Sequence, residues 1–189
     1  MEAPEPTAKD NARRLASRAL FVLAVVALVV YGLDQLTKYL VVENLPLGQP
    51  VPFVGELLQL RFVKNSGAAF SLGSGMTWVF SLVAAGVVVF LVASAHRIRS
   101  ITWAVVFGML LGGTLGNLTD RLFREPSFGQ GHVIDFLQLY AFPAIFNIAD
   151  VGIVSSMVLF ILLTLRGTGL DGTRPAREAP RARSASGEE

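Results

Sequence analysis

Four long, predominantly apolar stretches divide the sequence, and polar segments separate them. The first covers about residues 18–42, and the others cover residues 76–95, 101–119 and 146–165. Each is close to the ~20 apolar residues that an α-helix needs to cross a hydrocarbon core of about 30 Å. The pattern therefore predicts an all-α polytopic membrane protein with four transmembrane helices.

The segments between the apolar stretches differ in kind. Proline and glycine punctuate residues 43–75, and residues 57–63 within them have the short apolar pattern of a β-strand. Residues 122–145 form a polar and aromatic loop. We expect residues 18–166 to form one membrane domain. It follows an N-terminal tail of residues 1–17 and precedes a tail of residues 167–189, whose Arg, Ala, Gly, Ser and Pro content predicts disorder.

Composition agrees with a membrane location and excludes several other classes of protein. Apolar residue types make up 52% of the chain and charged types only 16%, whereas an ordinary soluble protein carries about 25% charged residues. There are no cysteines, so disulfides, thiolate catalysis and cysteine zinc sites are excluded. The net charge of +2 is too small to indicate a nucleic-acid partner. His96 and His132 fall on opposite sides of the predicted membrane, so no metal site is expected.

The distribution of arginine and lysine predicts the orientation of the chain. If both termini lie on one side of the membrane, that side carries eleven basic residues and the opposite side carries five. Basic residues concentrate on the cytoplasmic side of membrane proteins. We therefore expect both termini in the cytoplasm and the segments 43–75 and 122–145 on the outer face.

Asp120 and Asp150 are the most informative polar residues, because an ionisable group at membrane depth is by default a functional-site hypothesis. At ~1.5 Å per residue, Asp120 lies roughly 28 Å along the third span and Asp150 roughly 22 Å from the cytoplasmic end of the fourth. Both are therefore expected near the outer face. Asn117 and Asn147 each precede one aspartate by three residues, which places asparagine and aspartate on a common helix face.

Two neighbouring carboxylates share a proton, and such a pair can activate water for hydrolysis. The positions alone leave two other hypotheses open. One is a polar clamp between helices, and the other is a proton relay in a transporter.

Other polar residues have simpler interpretations. Asp34 and Lys38 stand four residues apart in the stabilising order, which favours a structural ion pair. Asp135 is either a third acid of the site or a residue that braces the outer loop, and bracing is favoured. Ser66 beside Lys64 or Lys38 could suit a serine/lysine peptidase, but an ordinary turn residue is the favoured interpretation.

Five short blocks together carry a family resemblance. They are DQLTK at 34–38, NSGAAF at 65–70, GTLGNLTDR at 113–121, VIDF at 133–136 and FNIAD at 146–150. In this order, and together with four spans, they closely resemble lipoprotein signal peptidase, also called signal peptidase II. The resemblance covers about residues 18–165.

The resemblance implies a four-helix membrane peptidase with a small outer β-cradle and a short outer helix near residues 124–140. It implies cleavage of diacylglyceryl-modified prolipoprotein signal peptides, just before the lipidated cysteine, in the bacterial cytoplasmic membrane. Asp120 and Asp150 would be the catalytic aspartates. Membrane lipid would surround the enzyme, and no metal or organic cofactor is implied. The remaining matched positions divide into those that line the site and contact substrate (Asn65, Asn117, Arg121 and Asn147) and those that support it (Asp34, Lys38 and Asp135).

Two other classes of function compete with a peptidase. A small proton-coupled transporter could use Asp120 and Asp150 as a relay, and would be expected to have inverted repeats and helices interrupted at the membrane midplane. A non-catalytic assembly factor would not need both carboxylates.

Overall fold

The computed structural model describes residues 7–67 and 76–173. It contains four long helices: α1 (Ala8–Asn44), α2 (Thr77–Ser94), α3 (Ile101–Phe123) and α4 (Ile148–Leu165). All four are long and apolar enough to cross a membrane. The four predicted spans are therefore confirmed. Most of the C-terminal tail predicted to be disordered, residues 174–189, lies outside the described residues.

Two helices begin at capping boxes. In a capping box, the side chain of the capping residue accepts a hydrogen bond from a backbone N–H three residues later, and the side chain of that later residue accepts one from the backbone N–H of the capping residue. In α1, the cap Thr7 pairs with Asp10, so the helix starts about ten residues before the predicted first span. In α4, the cap Asn147 accepts a hydrogen bond from the backbone N–H of Asp150, and the Asp150 carboxylate accepts one from the backbone N–H of Asn147. This second box fixes the position of Asp150 relative to Asn147.

A four-stranded antiparallel sheet lies at one end of the helices. Its strands are β1 (Pro50–Val54), β2 (Leu58–Asn65), β3 (Val133–Leu139) and β4 (Ile145–Phe146), in the spatial order β1-β2-β3-β4. In the central ladder Asn65 pairs with Val133, and Leu58 pairs with Leu139. The small β element expected from the sequence is confirmed, so the fold is mostly helical but not all-α.

The expectation of a short outer helix near residues 124–140 is wrong. That region contains β3, preceded by turns through Ser127 and Gly129. The physical reason is the alternation within β3: Ile134 and Phe136 pack with Val41 and Phe62 in a small core at the end of α1. A helix would scatter these two side chains onto different faces.

Close packing around α3 holds the helices together. A Cβ atom added to Gly108 would lie 2.8 Å from the backbone oxygen of Leu23 in α1. On another side of α3, an added Cβ at Gly113 would lie 2.8 Å from the Ile153 side chain in α4. Small residues thus let both α1 and α4 approach the α3 backbone. As a result, polar side chains from α1, α3 and α4 meet next to the sheet.

Candidate active site

A cavity of about 560 Å³ lies between the sheet and the ends of α3 and α4. Its polar lining residues are Asn65, Asn117, Arg121, Asp135 and Asp150, with Ser155 farther along α4. The rest of its wall is mainly apolar and comes from β3, β4, their connecting loop and α4, including Leu139, Phe142, Ile145, Val151 and Val154. The cavity therefore brings two carboxylates and three other polar side chains to one end of a long apolar wall.

Asp150 lies in the first turn of α4, where the backbone N–H groups of a helix favour negative charge. Its Oδ2 accepts a hydrogen bond of 3.1 Å from the backbone N–H of Asn147. Its Oδ1 accepts one of 2.8 Å from the amide of Asn117 on α3. Both oxygens thus have donors that stabilise an ionised carboxylate.

Asp135 comes from the middle of β3, and strand alternation directs it into the cavity together with Val133. Its Oδ1 accepts a hydrogen bond of 2.7 Å from the amide of Asn147, and its Oδ2 accepts one of 2.8 Å from the amide of Asn65. Burial, and next the negative charge of Asp150, raise the pKa of Asp135 to about 7. At neutral pH a large fraction of Asp135 is therefore protonated.

Asn147 and Asn117 connect the two carboxylates. The Asn147 amide donates to Asp135 and also, at 3.1 Å, to the side-chain oxygen of Asn117. That same oxygen accepts a hydrogen bond of 3.0 Å from Lys38 Nζ. Because an ammonium group can only donate, Lys38 fixes the Asn117 amide so that its NH₂ group faces Asp150. The orientation of each amide is thus determined by its neighbours.

Asp120 does not lie in the wall of this cavity, so its expected position in a facing pair with Asp150 is wrong. Its carboxylate is fully buried beside α1, with Oδ2 at 2.8 Å from Lys38 Nζ and Oδ1 at 2.6 Å from Arg124 Nε. The reason is rotation about the helix axis. Asn117 and Arg121 share the cavity face of α3, whereas Asp120 is turned by about 100° from Arg121.

Asp34 and Lys38 form the ion pair that their spacing predicts. Lys38 Nζ lies 2.8 Å from Asp34 Oδ2, and both side chains are fully buried. Asp34 also accepts a hydrogen bond of 2.9 Å from the backbone N–H of Ala149 in α4. The pair therefore ties α1 to α4 behind the cavity rather than at its surface.

Arg121 points into the cavity and is 8% exposed. Its Nη2 donates a hydrogen bond of 2.7 Å to the backbone oxygen of Gly67, and its guanidinium lies 5.4 Å from the centre of the Phe80 ring. Its Nη1 is buried and has no hydrogen-bond partner among residues 7–67 and 76–173. A free donor at this place can bind a carbonyl oxygen of a ligand.

Similarity to known proteins agrees with this architecture. A family model described as signal peptidase (SPase) II matches residues 26–166. The lipoprotein signal peptidase of Leifsonia xyli subsp. xyli is 61% identical over 184 residues, which are 97% of this chain and 85% of the relative. The chain belongs to the signal peptidase II family.

A more distant member and a solved structure extend the similarity. The lipoprotein signal peptidase of Rhodococcus jostii is 45% identical over 174 residues, 92% of this chain and 87% of the relative. A bacterial membrane enzyme solved by the in meso method at 2.3 Å resolution has a TM-score of 0.70 and 27% sequence identity. That similarity covers 82% of this chain and 94% of the solved chain.

Within this family fold, the sequence-based site is partly reproduced. Asn65, Asn117 and Arg121 line the cavity as expected, and Asn147 is fully buried behind it, between the two carboxylates. Bracing of the outer loop is the favoured sequence interpretation of Asp135, but this carboxylate lines the cavity. The alternation of Val133-Ile134-Asp135-Phe136 indicates that direction. The apolar wall from Leu139 to Val154 has no comparable signal, because apolar residues are common throughout this chain.

Proposed function

We propose that Asp135 and Asp150 are the catalytic carboxylates of this peptidase, and that Asp120 has a structural role. As a member of the signal peptidase II family, the chain is an aspartic peptidase that removes signal peptides from prolipoproteins. The observation that supports the proposed pair is their common position in the cavity wall, on either side of Asn147. Asp120 is instead paired with Lys38 and Arg124.

The surroundings of the two carboxylates suit them to different roles. Asp150 has the first turn of α4 and two hydrogen-bond donors to stabilise its negative charge. Asp135 is a strand residue whose pKa is raised to about 7. We therefore assign Asp150 as the general base and Asp135, in its protonated form, as the general acid.

Hydrolysis then proceeds by addition of water to the scissile carbonyl. Asp150 takes a proton from the water while the water oxygen attacks the carbonyl carbon. At the same time, Asp135 donates its proton to the carbonyl oxygen. The tetrahedral intermediate collapses when Asp150 returns a proton to the leaving nitrogen, Asp135 takes a proton back from one of the two hydroxyl groups, and the C–N bond breaks. The products are a carboxylic acid and an amine, and both aspartates are back in their starting states. Arg121 Nη1 offers a hydrogen bond to a backbone carbonyl of the extended substrate.

The apolar part of the cavity suits a substrate that stays in the membrane. Val151 and Val154 of α4 border the cavity and are also 44% and 61% exposed on the surface of the bundle. The cavity wall is therefore continuous with a surface available to lipid. A prolipoprotein carrying a diacylglyceryl-cysteine would place its scissile bond near the carboxylates without leaving the bilayer, and cleavage would occur just before that cysteine.

We also propose an orientation of the chain in the membrane. With eleven basic residues on the side of the termini and five on the other, both termini lie in the cytoplasm. The sheet and the cavity then lie at the outer face of the cytoplasmic membrane. The transporter alternative has no support from the helices, because each of α1–α4 runs without an interruption.

The purified protein in detergent, incubated with a diacylglyceryl-modified prolipoprotein, tests this function. We expect mass spectrometry of the products to find a new N-terminus at the modified cysteine. Asp150→Asn should give no product, since an amide of the same shape cannot act as a base. Cleavage at another bond, or cleavage of unmodified prolipoprotein at the same rate, would contradict the proposed substrate.

A further inference from the structure

Five large apolar side chains are exposed at the end of the sheet that lies away from the carboxylates. Phe53 and Val54 end β1, Leu57 lies in the β1–β2 turn, and Tyr140 and Phe142 follow β3. Their exposed fractions are 66%, 53%, 64%, 71% and 47%, respectively. We call this group the sheet tip. An exposed apolar cluster of this kind marks an interaction surface.

Backbone hydrogen bonds hold most of the sheet tip together as one surface. The N–H of Leu57 donates to the oxygen of Val54 at 3.2 Å, and the N–H of Tyr140 donates to the oxygen of Leu57 at 2.9 Å. The Phe142 ring packs edge-on against Phe146 of β4, with 6.1 Å between ring centres. The apolar side chains are therefore presented by a fixed backbone rather than by a loose loop.

The sheet tip is continuous with the surface that α4 offers to lipid. Phe142 borders the same cavity as Val151 and Val154. Farther along α4, Val158 and Ile161 are each 52% exposed. Phe142 thus connects the sheet tip to the cavity wall that α4 shares with the surface available to lipid.

The direction of the strands leaves two possible arrangements. From Asp135 to Leu139, β3 extends about 13 Å at ~3.3 Å per residue. If the strands stood upright on the membrane, the sheet tip would be the part of the sheet farthest from the bilayer. If the sheet lies along the membrane surface, the sheet tip reaches the interface at some lateral distance from the carboxylates.

The distribution of charge favours the second arrangement. Near the carboxylates, Lys64 forms an ion pair of 3.0 Å with Glu125, and these side chains are 41% and 84% exposed. At the sheet tip Glu56 is exposed, but the five large side chains around it are aliphatic and aromatic. Aromatic residues are enriched where a protein meets the membrane–water interface. An upright sheet would place the Lys64–Glu125 pair nearer the lipid and leave all five apolar side chains of the sheet tip in water.

We propose that the sheet tip is a membrane-binding surface that inserts into the headgroup–acyl boundary of the adjacent leaflet. Its ligand is the phospholipid bilayer itself. The sheet then lies along the membrane. It forms a wall that separates one side of the cavity from the lipid, and the substrate enters the cavity from that lipid. This inference does not depend on which carboxylates are catalytic.

Tryptophan fluorescence in nanodiscs that hold one copy of the full chain tests the proposal. Trp78→Phe provides the parent protein, and the buried Trp103 contributes a constant background. Leu57→Trp reports on the sheet tip, and Lys64→Trp is the matched position near the carboxylates in the same hairpin. Each is measured with lipid brominated close to the headgroup and with aqueous iodide, and Tyr140→Trp repeats the test if Leu57→Trp fails to fold.

We expect the brominated lipid to quench Leu57→Trp at least about twofold more than Lys64→Trp, because a side chain at the headgroup–acyl boundary lies within several Å of the bromine. Iodide should show the reverse order. Stronger lipid quenching at position 64 would establish an upright sheet and overturn the proposal. Protection of the sheet tip from iodide without lipid quenching would also overturn it, since a protein surface would then cover the tip.

Discussion

Lys38→Met removes the only positive charge that contacts both Asp34 and Asp120 within the described part of the chain. The ammonium group is fully buried and lies 2.8 Å from each carboxylate and 3.0 Å from the Asn117 oxygen. Removing one partner from a buried ion pair typically costs about 3–5 kcal/mol, because the other charge stays buried without compensation. We expect a loss of this size in the free energy of unfolding.

The assay is equilibrium unfolding in mixed micelles, in a Trp78→Phe background, followed by the fluorescence of the buried Trp103. Lys38→Met/Asp34→Asn restores the charge balance while Asp120 keeps its contact with Arg124. We expect this double variant to be more stable than Lys38→Met alone by at least about 1 kcal/mol, since contacting residues are not additive.

Lys64→Met is the matched control, because its pair with Glu125 is exposed to solvent and should contribute little to the free energy of unfolding. A Lys38→Met variant as stable as Lys64→Met would refute the buried network. So would a double variant that is less stable than Lys38→Met.

Three further predictions concern activity and topology. Cleavage should fall about tenfold for each pH unit above the Asp135 pKa of about 7, because the acid loses its proton there; a rate that stays flat above neutrality contradicts this. Arg121→Lys should insert normally yet lose at least ~10-fold in cleavage efficiency, on the order of 1.4 kcal/mol, because lysine cannot both hold Gly67 and reach the substrate. Wild-type efficiency at a matched protein level would make Arg121 a simple anchor. A reporter fused after Arg166 should behave as cytoplasmic and one inserted near Gln130 as external, and the opposite result would reverse the orientation.

The sequence was sufficient to predict the helices and much of the polar cluster. Membrane-spanning helices need about 20 apolar residues, so their number and approximate limits follow from local composition. The Asp34–Lys38 contact follows from spacing within one helix. Neither inference requires knowledge of how distant parts of the chain meet.

The direction of each acid could not be predicted in the same way. Position along α3 gives the depth of Asp120, but the rotation of α3 is set by its packing against α1 and α4. Gly108 and Gly113 determine that packing, through contacts with Leu23 and Ile153. Asp120 consequently faces Lys38 and not the cavity.

The region before α4 differs from the predicted outer helix for a related reason. Val133–Leu139 is a strand because Leu58–Asn65 pairs with it, although the two segments are far apart in the sequence. Such pairing overrides weak local preferences. Once β3 is known to be a strand, alternation alone directs Asp135 towards Asp150.

The central claim is that Asp135, and not Asp120, works with Asp150. Turnover by Asp135→Asn and Asp120→Asn, measured on the same lipid-modified prolipoprotein and normalised to folded protein, tests it most directly. We expect Asp135→Asn to lose about 10²–10⁴-fold in rate, as removal of a general acid does. Asp120→Asn should lose stability but keep its rate within about tenfold of the wild type, because this carboxylate contacts Lys38 and Arg124 behind the cavity. An inactive, folded Asp120→Asn together with an active Asp135→Asn would contradict the account.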